Sequence, residues 1–547
     1  MNDLPSMQKI RELRMTMMLK SILVLSICGV VVTGASAQQI CPPRPMPGSL
    51  VVNPLDLYSQ NGTLTVNVTL QNQFGSDGFM HYCYVYLYQG QQVEAPTLRL
   101  NPGDQLVLNL TDNIQAPYYK FPKKSQMHMH IPGKPGPKPN DDCNGGMLMG
   151  GSTNMHFHGL NVPPVCHQDD VIYTLIQSGD PPFQYNFQVP ANDNPGMYWY
   201  HPHAHGNTTT QVDGGAAGAI FIEGTIPGTQ GLPERVMVIR QQFKNPNSWL
   251  PGPNQLTVNY QPAIFPNASS PYINMTYGQP EFWRLVNAST QAFLSLQIFY
   301  GDTQQQFEVL ALDGVPLQSP IYETEIDLPP AGRAEFIIPG LPSGQQGVFL
   351  TNGFNTGPVG NPNNPQQLIK IFGTDDAKKL AHSAPPPAKP PADRQRFAGL
   401  AAQQPTTTRQ LYFSEQTVGS NGPTQYFITV QGQKPHVFHM DDPPAIVTNT
   451  GSVEDWNVEN RSGEAHAFHI HQLHFLVEAI NGVPVPNPDL QDTITIPNWS
   501  GNGPYPSVTL RMDFRDPNIA GTFVFHCHIL DHEDAGMMAK IQVNLAN

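Results

Sequence analysis

Charged residues are scarce in this 547-residue chain, where Asp, Glu, Lys and Arg together make up 13%. The usual share is roughly 25%. Helical periodicity is also rare, whereas Pro (56) and Gly (47) are plentiful. These features favour a loop-rich all-β fold over a helical bundle. Alternating apolar segments such as Gln105–Leu110 and Ala219–Ile222 are typical of strands.

The mature part of the sequence has no basic cluster, and the net charge of the whole chain is −14. Nucleic acid and anionic membrane surfaces are therefore poor partners. Small neutral or cationic substrates suit this charge better. The composition does not indicate an oligomeric state.

An apolar run long enough to span a membrane is also missing. The run Ile22–Val32 is far shorter than the roughly 20 residues a span requires. Basic residues from Lys9 to Lys20 precede it, and Ala35-Ser36-Ala37 follows as a small-residue cleavage site. This pattern predicts a secretory signal peptide over residues 1–37 and an exported protein, periplasmic or secreted.

Cysteine is limited to six residues. Cys28 falls in the predicted signal peptide, and Cys527 is flanked by His526 and His528. Four remain for an oxidising compartment, namely Cys41, Cys83, Cys143 and Cys166. We expect one or two disulfides among them, and the sequence leaves all three pairings open.

The densest concentration of metal-ligand side chains lies near the C-terminus. Cys527, His532 and Met537 supply a thiolate, an imidazole and a thioether, and a blue-copper site needs one Cys, two His and a weak axial Met. His466, which opens another His cluster, is the natural fourth ligand. Successive side chains of a strand point to opposite faces, so Cys527 is predicted to face one site while its two His neighbours face another.

Paired imidazoles at strand spacing recur along the chain. The pattern His-x-His occurs at 156–158, 201–203, 469–471 and 526–528. One such pair is a weak signal and also suits zinc. Four pairs, one of them enclosing a cysteine, favour a cluster of several metal ions.

Together these segments resemble the four copper signatures of the three-domain multicopper oxidases, the laccase-like enzymes. They comprise His-Phe-His-Gly-Leu (156–160), Tyr-Trp-Tyr-His-Pro-His (198–203), His-Ala-Phe-His-Ile-His (466–471) and the run from His526 to Met537. The resemblance implies four copper ions: one type 1, one type 2 and a type 3 pair. The implied type 1 ligands are His466, Cys527, His532 and Met537, and the type 2 ligands are His156 and His469. The six implied type 3 ligands are His158, His201, His203, His471, His526 and His528.

The resemblance also implies three consecutive cupredoxin-like Greek-key β-sandwich domains. Chain length independently suggests about three domains at roughly 150 residues each. We expect the first over 38–224 with type 2 and type 3 ligands, the second over 225–374, and the third over 408–547 with the type 1 site and the remaining ligands. No His occurs from Gly206 to Ala381, so the second domain is expected to be a copper-free spacer. A Pro-rich stretch within 375–407 predicts an extended linker.

Dioxygen reduction consumes protons, and the resemblance implies acidic residues that carry them. Glu533 matches one of these residues. The other corresponds to Asp169 or Asp170, and spacing does not decide between them. The stretch 114–155 departs from the family pattern and contains Met127-His128-Met129-His130. A disulfide-stapled surface loop is favoured there over an extra copper site or lid.

The implied activity is one-electron oxidation of a donor coupled to four-electron reduction of dioxygen to water. An axial Met indicates a modest type 1 potential, which favours phenols or aromatic amines as donors. A metallo-oxidase acting on Cu(I), Mn(II) or Fe(II) is the alternative. Among other classes, a copper-buffering protein would bind copper without consuming dioxygen, a zinc hydrolase would have no use for Cys527, and an electron-transfer cupredoxin would be far shorter.

Overall fold

The structure is a computed structural model that describes residues 41–75, 80–116, 143, 147–243, 254–263, 270–361, 363–375, 396–419 and 422–546. The described residues form one compact unit. The predicted signal peptide, most of the predicted linker and Met127–His130 lie outside the described residues.

The first part of the chain forms two five-stranded sheets with the orders β1-β5-β10-β9-β7 and β4-β3-β2-β6-β8. Its elements are β1 (Asp56–Tyr58), β2 (Thr63–Phe74), β3 (Met80–Tyr88), β4 (Gln91–Glu94), β5 (Thr97–Leu100), β6 (Gln105–Asn113), β7 (His156–His158), β8 (Phe183–Gln188), β9 (Gly196–His201), helix α1 (Thr208–Asp213) and β10 (Gly218–Ile222). Alternate residues of β2 and β6 are buried, because a strand presents every second side chain to the core.

The middle part forms a seven-stranded and a six-stranded sheet. Its strands are β11 (Glu234–Phe243), β12 (Asn254–Val258), β13 (Gln261–Pro262), β14 (Tyr272–Thr276), β15 (Glu281–Ala288), β16 (Leu294–Tyr300), β17 (Thr303–Gln304), β18 (Phe307–Leu312), β19 (Val315–Glu323), β20 (Ile326–Leu328), β21 (Arg333–Ile338), β22 (Gln346–Thr351) and β23 (Gln366–Thr374). The sheet orders are β13-β12-β11-β15-β21-β18-β19 and β14-β23-β22-β16-β17, with β20 paired to β16.

The last part repeats the two-sheet arrangement with the orders β25-β24-β27-β33-β29-β30 and β26-β35-β34-β28-β32, and β31 pairs with β29. Its elements are β24 (Thr407–Thr417), β25 (Thr424–Val430), β26 (Ile446–Asn449), β27 (Ser452–Asn460), β28 (His466–Ile470), β29 (Phe475–Ile480), β30 (Val483–Pro484), β31 (Leu490–Gln491), β32 (Thr493–Ile496), β33 (Ser507–Phe514), β34 (Gly521–Cys527), helix α2 (Leu530–Asp534) and β35 (Met538–Asn544). Short 3₁₀ turns cover Leu400–Ala402 and Pro517–Ile519.

The all-β prediction is confirmed, since the two described α-helices span only six and five residues. The segments predicted as strands around Gln105–Leu110 and Ala219–Ile222 lie in β6 and β10. Each of the three parts has its own large apolar core. The domain boundaries given above remain predictions. Within the described residues, no helix is long and apolar enough to cross a membrane.

Candidate copper centres

Two sheets, one from the first part of the chain and one from the last, bring the His segments together. In the first, β7 pairs with β9 so that His156 lies opposite His201. In the last, β28 pairs with β34 so that His469 lies opposite His526, and Phe468 lies opposite Cys527. This register puts the thiol one position away from the paired imidazoles. The thiol and the imidazoles therefore lie on opposite faces of β34, as the alternation predicts.

On the thiol side, His466, Cys527 and His532 bring their ligand atoms within 4.8 Å of one another. Cys527 Sγ lies 3.5 Å from His466 Nδ1 and 4.0 Å from His532 Nδ1. Met537 is fully buried, and its backbone accepts from Cys527 N–H at 3.1 Å and donates to His532 O at 2.8 Å. The four residues predicted for the mononuclear site are thus neighbours, and they form the thiol group.

Burial raises the pKa of the Cys527 thiol above its ordinary value. A thiol must lose its proton to bind a metal, so metal binding at this position releases a proton. Burial also lowers the pKa values of His466 and His532. Both rings are therefore neutral and able to donate a nitrogen lone pair.

The outer edges of the two imidazoles of the thiol group face acidic side chains. His532 Nε2 lies 3.1 Å from Glu464 Oε1, and His466 Nε2 lies 3.3 Å from Glu415 Oε1. Burial, with Glu415 and Asp531 adding negative charge, raises the pKa of Glu464 to about 9. The ring of Tyr426 stacks on His532 with centroids 4.0 Å apart. Two carboxyl groups and a phenol ring thus surround the side of the group that faces away from Cys527.

On the other face, eight imidazoles form one buried assembly, the His cluster. Two triads have ligand atoms within 4.8 Å of one another, His158 with His201 and His528, and His203 with His471 and His526. His156 and His469 meet within the same limit in a group with His158. All eight side chains are at most 1% exposed. The structure therefore brings together every His predicted for the three-copper cluster and divides the six predicted type 3 ligands into two sets of three.

Several ring nitrogens in the His cluster are buried without a hydrogen-bond partner among the described residues. They are His156 Nε2, His158 Nδ1, His201 Nε2, His469 Nε2, His471 Nδ1 and both nitrogens of His528. Unsatisfied buried polar atoms are rare in proteins unless an ion or water satisfies them. Burial also lowers the pKa of every ring in the cluster, to about 4 for His469. Neutral imidazoles with free lone pairs fit copper, and the thiolate and thioether of the thiol group fit it too.

Glu533 and Asp169 lie at the His cluster, whereas Asp170 accepts hydrogen bonds from the backbone of the loop that follows it. Glu533 is 3.6 Å from His203 Nδ1 and 3.5 Å from His526 Nδ1. Both carboxylate oxygens of Asp169 lie 3.0 Å from His156 Nδ1. Asp170 instead accepts from the backbone N–H groups of residues 172 and 173. Geometry therefore separates two acids that spacing left equivalent.

Comparison with known proteins agrees with this geometry. Multicopper oxidase family models match residues 148–226 and 407–547. The chain is 22% identical to multicopper oxidase mco of Staphylococcus haemolyticus, over 87% of this chain and 88% of that protein. It belongs to the multicopper oxidase family.

Named relatives of this multicopper oxidase are oxidoreductases, and solved structures share its fold. A laccase of Bacillus subtilis is 22% identical over 65% of this chain and 72% of its own length. The structure of a McoA multicopper oxidase variant from Aquifex aeolicus matches with a TM-score of 0.66 and 20% identity, covering 91% of this chain and all of that one. A Campylobacter jejuni multicopper oxidase described as a metallo-oxidase gives 0.65 and 24%, covering 92% and 96%. The predicted family, fold and enzyme class are confirmed.

Sequence reasoning missed a buried ionic group beneath the His cluster of this multicopper oxidase. Asp492 Oδ1 lies 3.2 Å from His158 Nε2, and its backbone oxygen lies 2.8 Å from His469 Nδ1. Arg333 and Asp313 complete the group. Burial raises the pKa of Asp492, but Arg333, His474 and His469 outweigh it and lower the pKa to about 2. No motif marks these residues, which come from separate parts of the chain.

Two other His that neighbour the copper motifs in the sequence lie outside the ligand groups. His474 lies 2.8 Å from Asp313 O, and His205 packs against Phe438. Neither ring belongs to the two triads described above.

The four cysteines form the disulfides Cys41–Cys83 and Cys143–Cys166, which confirms the expectation of disulfides and selects one of the three pairings. The second disulfide ties the stretch that precedes His156 to the loop that follows it.

Proposed function

We propose that this multicopper oxidase oxidises phenols or aromatic amines one electron at a time at the thiol group and reduces dioxygen to water at the His cluster. The observation that carries the proposal is the shared strand β34. Cys527 contacts His466 and His532 on one face, while the adjacent His526 joins a triad on the other. Two metal-binding groups are thereby linked by a single peptide bond.

The proposal assigns four copper ions. His466, Cys527, His532 and Met537 would hold the type 1 ion, and His156 and His469 the type 2 ion. The triads His158–His201–His528 and His203–His471–His526 would each hold one type 3 ion. When bound, copper supplies the one-electron acceptance and the multi-electron reduction of dioxygen that no side chain can perform.

The chain itself supplies an electron path, a proton source and a site shielded from bulk water. Bonds from Cys527 Sγ through the backbone to the His526 and His528 rings form the covalent route between the two groups. Glu533 lies beside His203 and His526, where it can deliver protons to the cluster. Asp169 faces His156 and serves as the second proton carrier. Burial of every cluster ring excludes bulk water from the reacting oxygen.

Replacing the free thiol of Cys527 tests the proposal. Copper-loaded protein is expected to be blue and to consume dioxygen with a phenolic donor. Cys527→Ser should lose the blue colour and reduce oxygen uptake to background, while the His cluster keeps its copper. A copper-buffering protein would bind copper and consume no dioxygen in either form. Full oxidase activity in Cys527→Ser would contradict the proposal.

A second candidate donor class is favoured by the acidic edge of the thiol group. Glu464 and Glu415 face the outer nitrogens of His532 and His466, which is where a donor would approach. Carboxylate oxygens attract metal cations more than neutral phenols. The same oxidase could therefore accept electrons from Cu(I), Mn(II) or Fe(II).

A comparison of donors separates the two candidates. For a metallo-oxidase, Glu415→Gln should raise KM for the reduced metal ion by about tenfold and leave KM for a neutral phenol nearly unchanged. Glu464→Gln should have a smaller effect at neutral pH, because the raised pKa of Glu464 keeps its carboxyl protonated. For a phenol oxidase, neither substitution should distinguish the two donors. The neutral amide keeps the size of each side chain, so the comparison isolates charge.

Export belongs to the same proposal. Two disulfides are present in the described residues, and structural disulfides persist in oxidising compartments. N-terminal sequencing of the protein recovered from its native host should start near Gln38. A protein that retains residues 1–37 would contradict processing by signal peptidase.

A further inference from the structure

The middle part of the chain, which contains no His, reaches the His cluster through one buried arginine. Arg333 opens β21, is 0% exposed, and donates to both carboxylate oxygens of Asp492, at 2.7 and 2.5 Å. It also donates to Asp313 O at 2.8 Å. Bidentate pairing fixes both the position and the plane of a carboxylate. The orientation of Asp492 is thus determined by a residue 159 positions earlier in the chain.

Asp492 in turn decides which nitrogens of two cluster rings are free. His158 Nε2 lies 3.2 Å from Asp492 Oδ1, and His158 Nδ1 has no partner among the described residues. His469 Nδ1 lies 2.8 Å from Asp492 O, and its Nε2 is the unpartnered atom. A neutral ring that donates from one nitrogen offers its other nitrogen as a metal ligand. Asp492 therefore selects opposite tautomers in the two rings.

Asp313 holds the backbone of Asp492 in place. Its Oδ2 accepts from the N–H groups of Asp492 and Thr493, at 3.1 and 3.2 Å, and its Oδ1 accepts from Arg333 N–H at 2.9 Å. Each end of the ion pair is therefore fixed by the same carboxylate.

The packing around the pair leaves no room for it to shift. Gly159 has φ +86°, and a Cβ at that position would lie 2.7 Å from Arg333 Nη2 and 2.9 Å from Asp492 Oδ2. Arg333 Nε also lies 3.4 Å from Met197 O. The segment that follows His158 is thus packed directly on the ion pair. All three parts of the chain meet at this point.

We infer that Arg333, Asp492 and Asp313 are positioning residues that set the ligand tautomers of His158 and His469, so that the middle part of the chain controls copper binding at the His cluster. The inference rests on the proposed function, which assigns these rings to type 3 and type 2 copper. It revises the interpretation of the middle part as a spacer only.

Copper-loaded variants test the inference with readouts other than activity. Asp492→Asn and Arg333→Gln should weaken copper retention at the His cluster by about 10- to 100-fold, measured by dialysis against a graded chelator. The paramagnetic type 2 signal and the near-ultraviolet absorption of the type 3 pair should diminish together. The blue band of the thiol group should persist, because none of its residues contacts Asp492.

Arg235 provides a matched control in the same part of the chain. It is 2% exposed and pairs bidentately with Glu281 at 2.8 and 2.9 Å, yet it contacts no ring of the His cluster within the described part of the chain. Arg235→Gln removes an equivalent buried ion pair. If it lowers the unfolding temperature as much as Arg333→Gln but retains cluster copper, the effect of Arg333 is on the cluster itself.

The outcomes separate this inference from the proposed function. Wild-type protein that fails to bind copper at the His cluster would overturn both. Wild-type protein that binds copper there, together with Asp492→Asn and Arg333→Gln variants that retain it as tightly, would overturn only the inference. Equal copper loss in Arg235→Gln would also overturn it, since the loss would then follow general destabilisation.

Discussion

The thiol group and the His cluster lie on opposite faces of one strand, yet they are built differently. All four residues of the thiol group lie between positions 466 and 537, and its two rings face the buried Glu464 and the partly exposed Glu415. The His cluster draws on residues 156–203 and 469–528 and is enclosed on all sides. The first group therefore needs one folded part of the chain, whereas the second forms only when two parts assemble.

This difference accounts for what surrounds each group. A site that takes electrons from varied donors needs a side near solvent, and Glu415, whose carboxylate lies 3.3 Å from His466 Nε2, is partly exposed although the ring itself is buried. A site that reduces dioxygen needs exclusion of water and fixed ligands. Buried acids contact the rings of the His cluster, namely Asp169, Asp492 and Glu533. Assembly from separate parts thus brings acidic side chains from both parts to the cluster.

Single ligand deletions should break the two groups independently, with the largest effects of all. His466→Ala removes a ring from the thiol group and should abolish the blue colour while the His cluster keeps its copper. His469→Ala removes a ring from the cluster and should leave the blue colour while abolishing oxygen reduction. Both variants should lose turnover to background. Copper content and visible absorption measured together show which group each variant has lost.

The contrary result is equally clear. If His469→Ala bleached the blue band, or His466→Ala emptied the cluster, the two groups would be one coupled unit rather than two. A shared loss would also appear if either variant misfolded, so unfolding temperature should be measured on the same samples. His205→Ala, which removes a ring that packs against Phe438 outside both groups, provides the control for removing an imidazole.

Removing the acid beside the cluster should have the next largest effect. Burial, reinforced by Asp534, raises the pKa of Glu533 well above its ordinary value. The acid form therefore persists to higher pH, so proton delivery is available below the raised pKa and is lost as pH rises through it. Glu533→Gln should lower kcat by about 10²-fold and remove this alkaline decline. The pH profile of kcat measures both effects.

Colour provides the check on this prediction. Glu533→Gln should remain blue and should become colourless on reduction as fast as wild type, because electron entry at the thiol group does not use the acid. A slower bleaching step under anaerobic conditions would show that Glu533 acts on electron entry instead. A wild-type pH profile in the variant would remove its role as proton carrier.

Much of the site could be predicted because its signal is local. His-x-His pairs and the run from His526 to Met537 are contiguous, and alternation along a strand assigns their faces. Even the choice of His466 follows from one short segment. Ligands that lie close together in the sequence form a spacing pattern that can be recognised without a structure.

Other parts of the site could not be predicted, because their contacts join distant positions. Arg333 and Asp492 are separated by 159 residues, and Asp492 and His158 by 334. Each is an ordinary charged residue among many, with no periodicity to distinguish it. Likewise, the pairing of Cys143 with Cys166 depends on how two loops fold back on each other. A single sequence contains no pattern that identifies such long-range contacts.

Two adjacent acids provide the finest test of the comparison. Asp169 faces His156, whereas Asp170 accepts from the backbone N–H groups of residues 172 and 173. Both carboxylate oxygens of Asp169 face donors, Oδ1 the Phe157 N–H and Oδ2 the Gln472 side chain, besides the His156 ring. Asp169→Asn turns one of these acceptors into a donor and should lower oxygen turnover by about tenfold. Asp170→Asn keeps an oxygen able to accept the same backbone bonds, so turnover should stay within about twofold of wild type. Because the chemical change is identical at neighbouring positions, equal losses in oxygen-uptake rate would mean that the loop rather than the His156 contact is what matters.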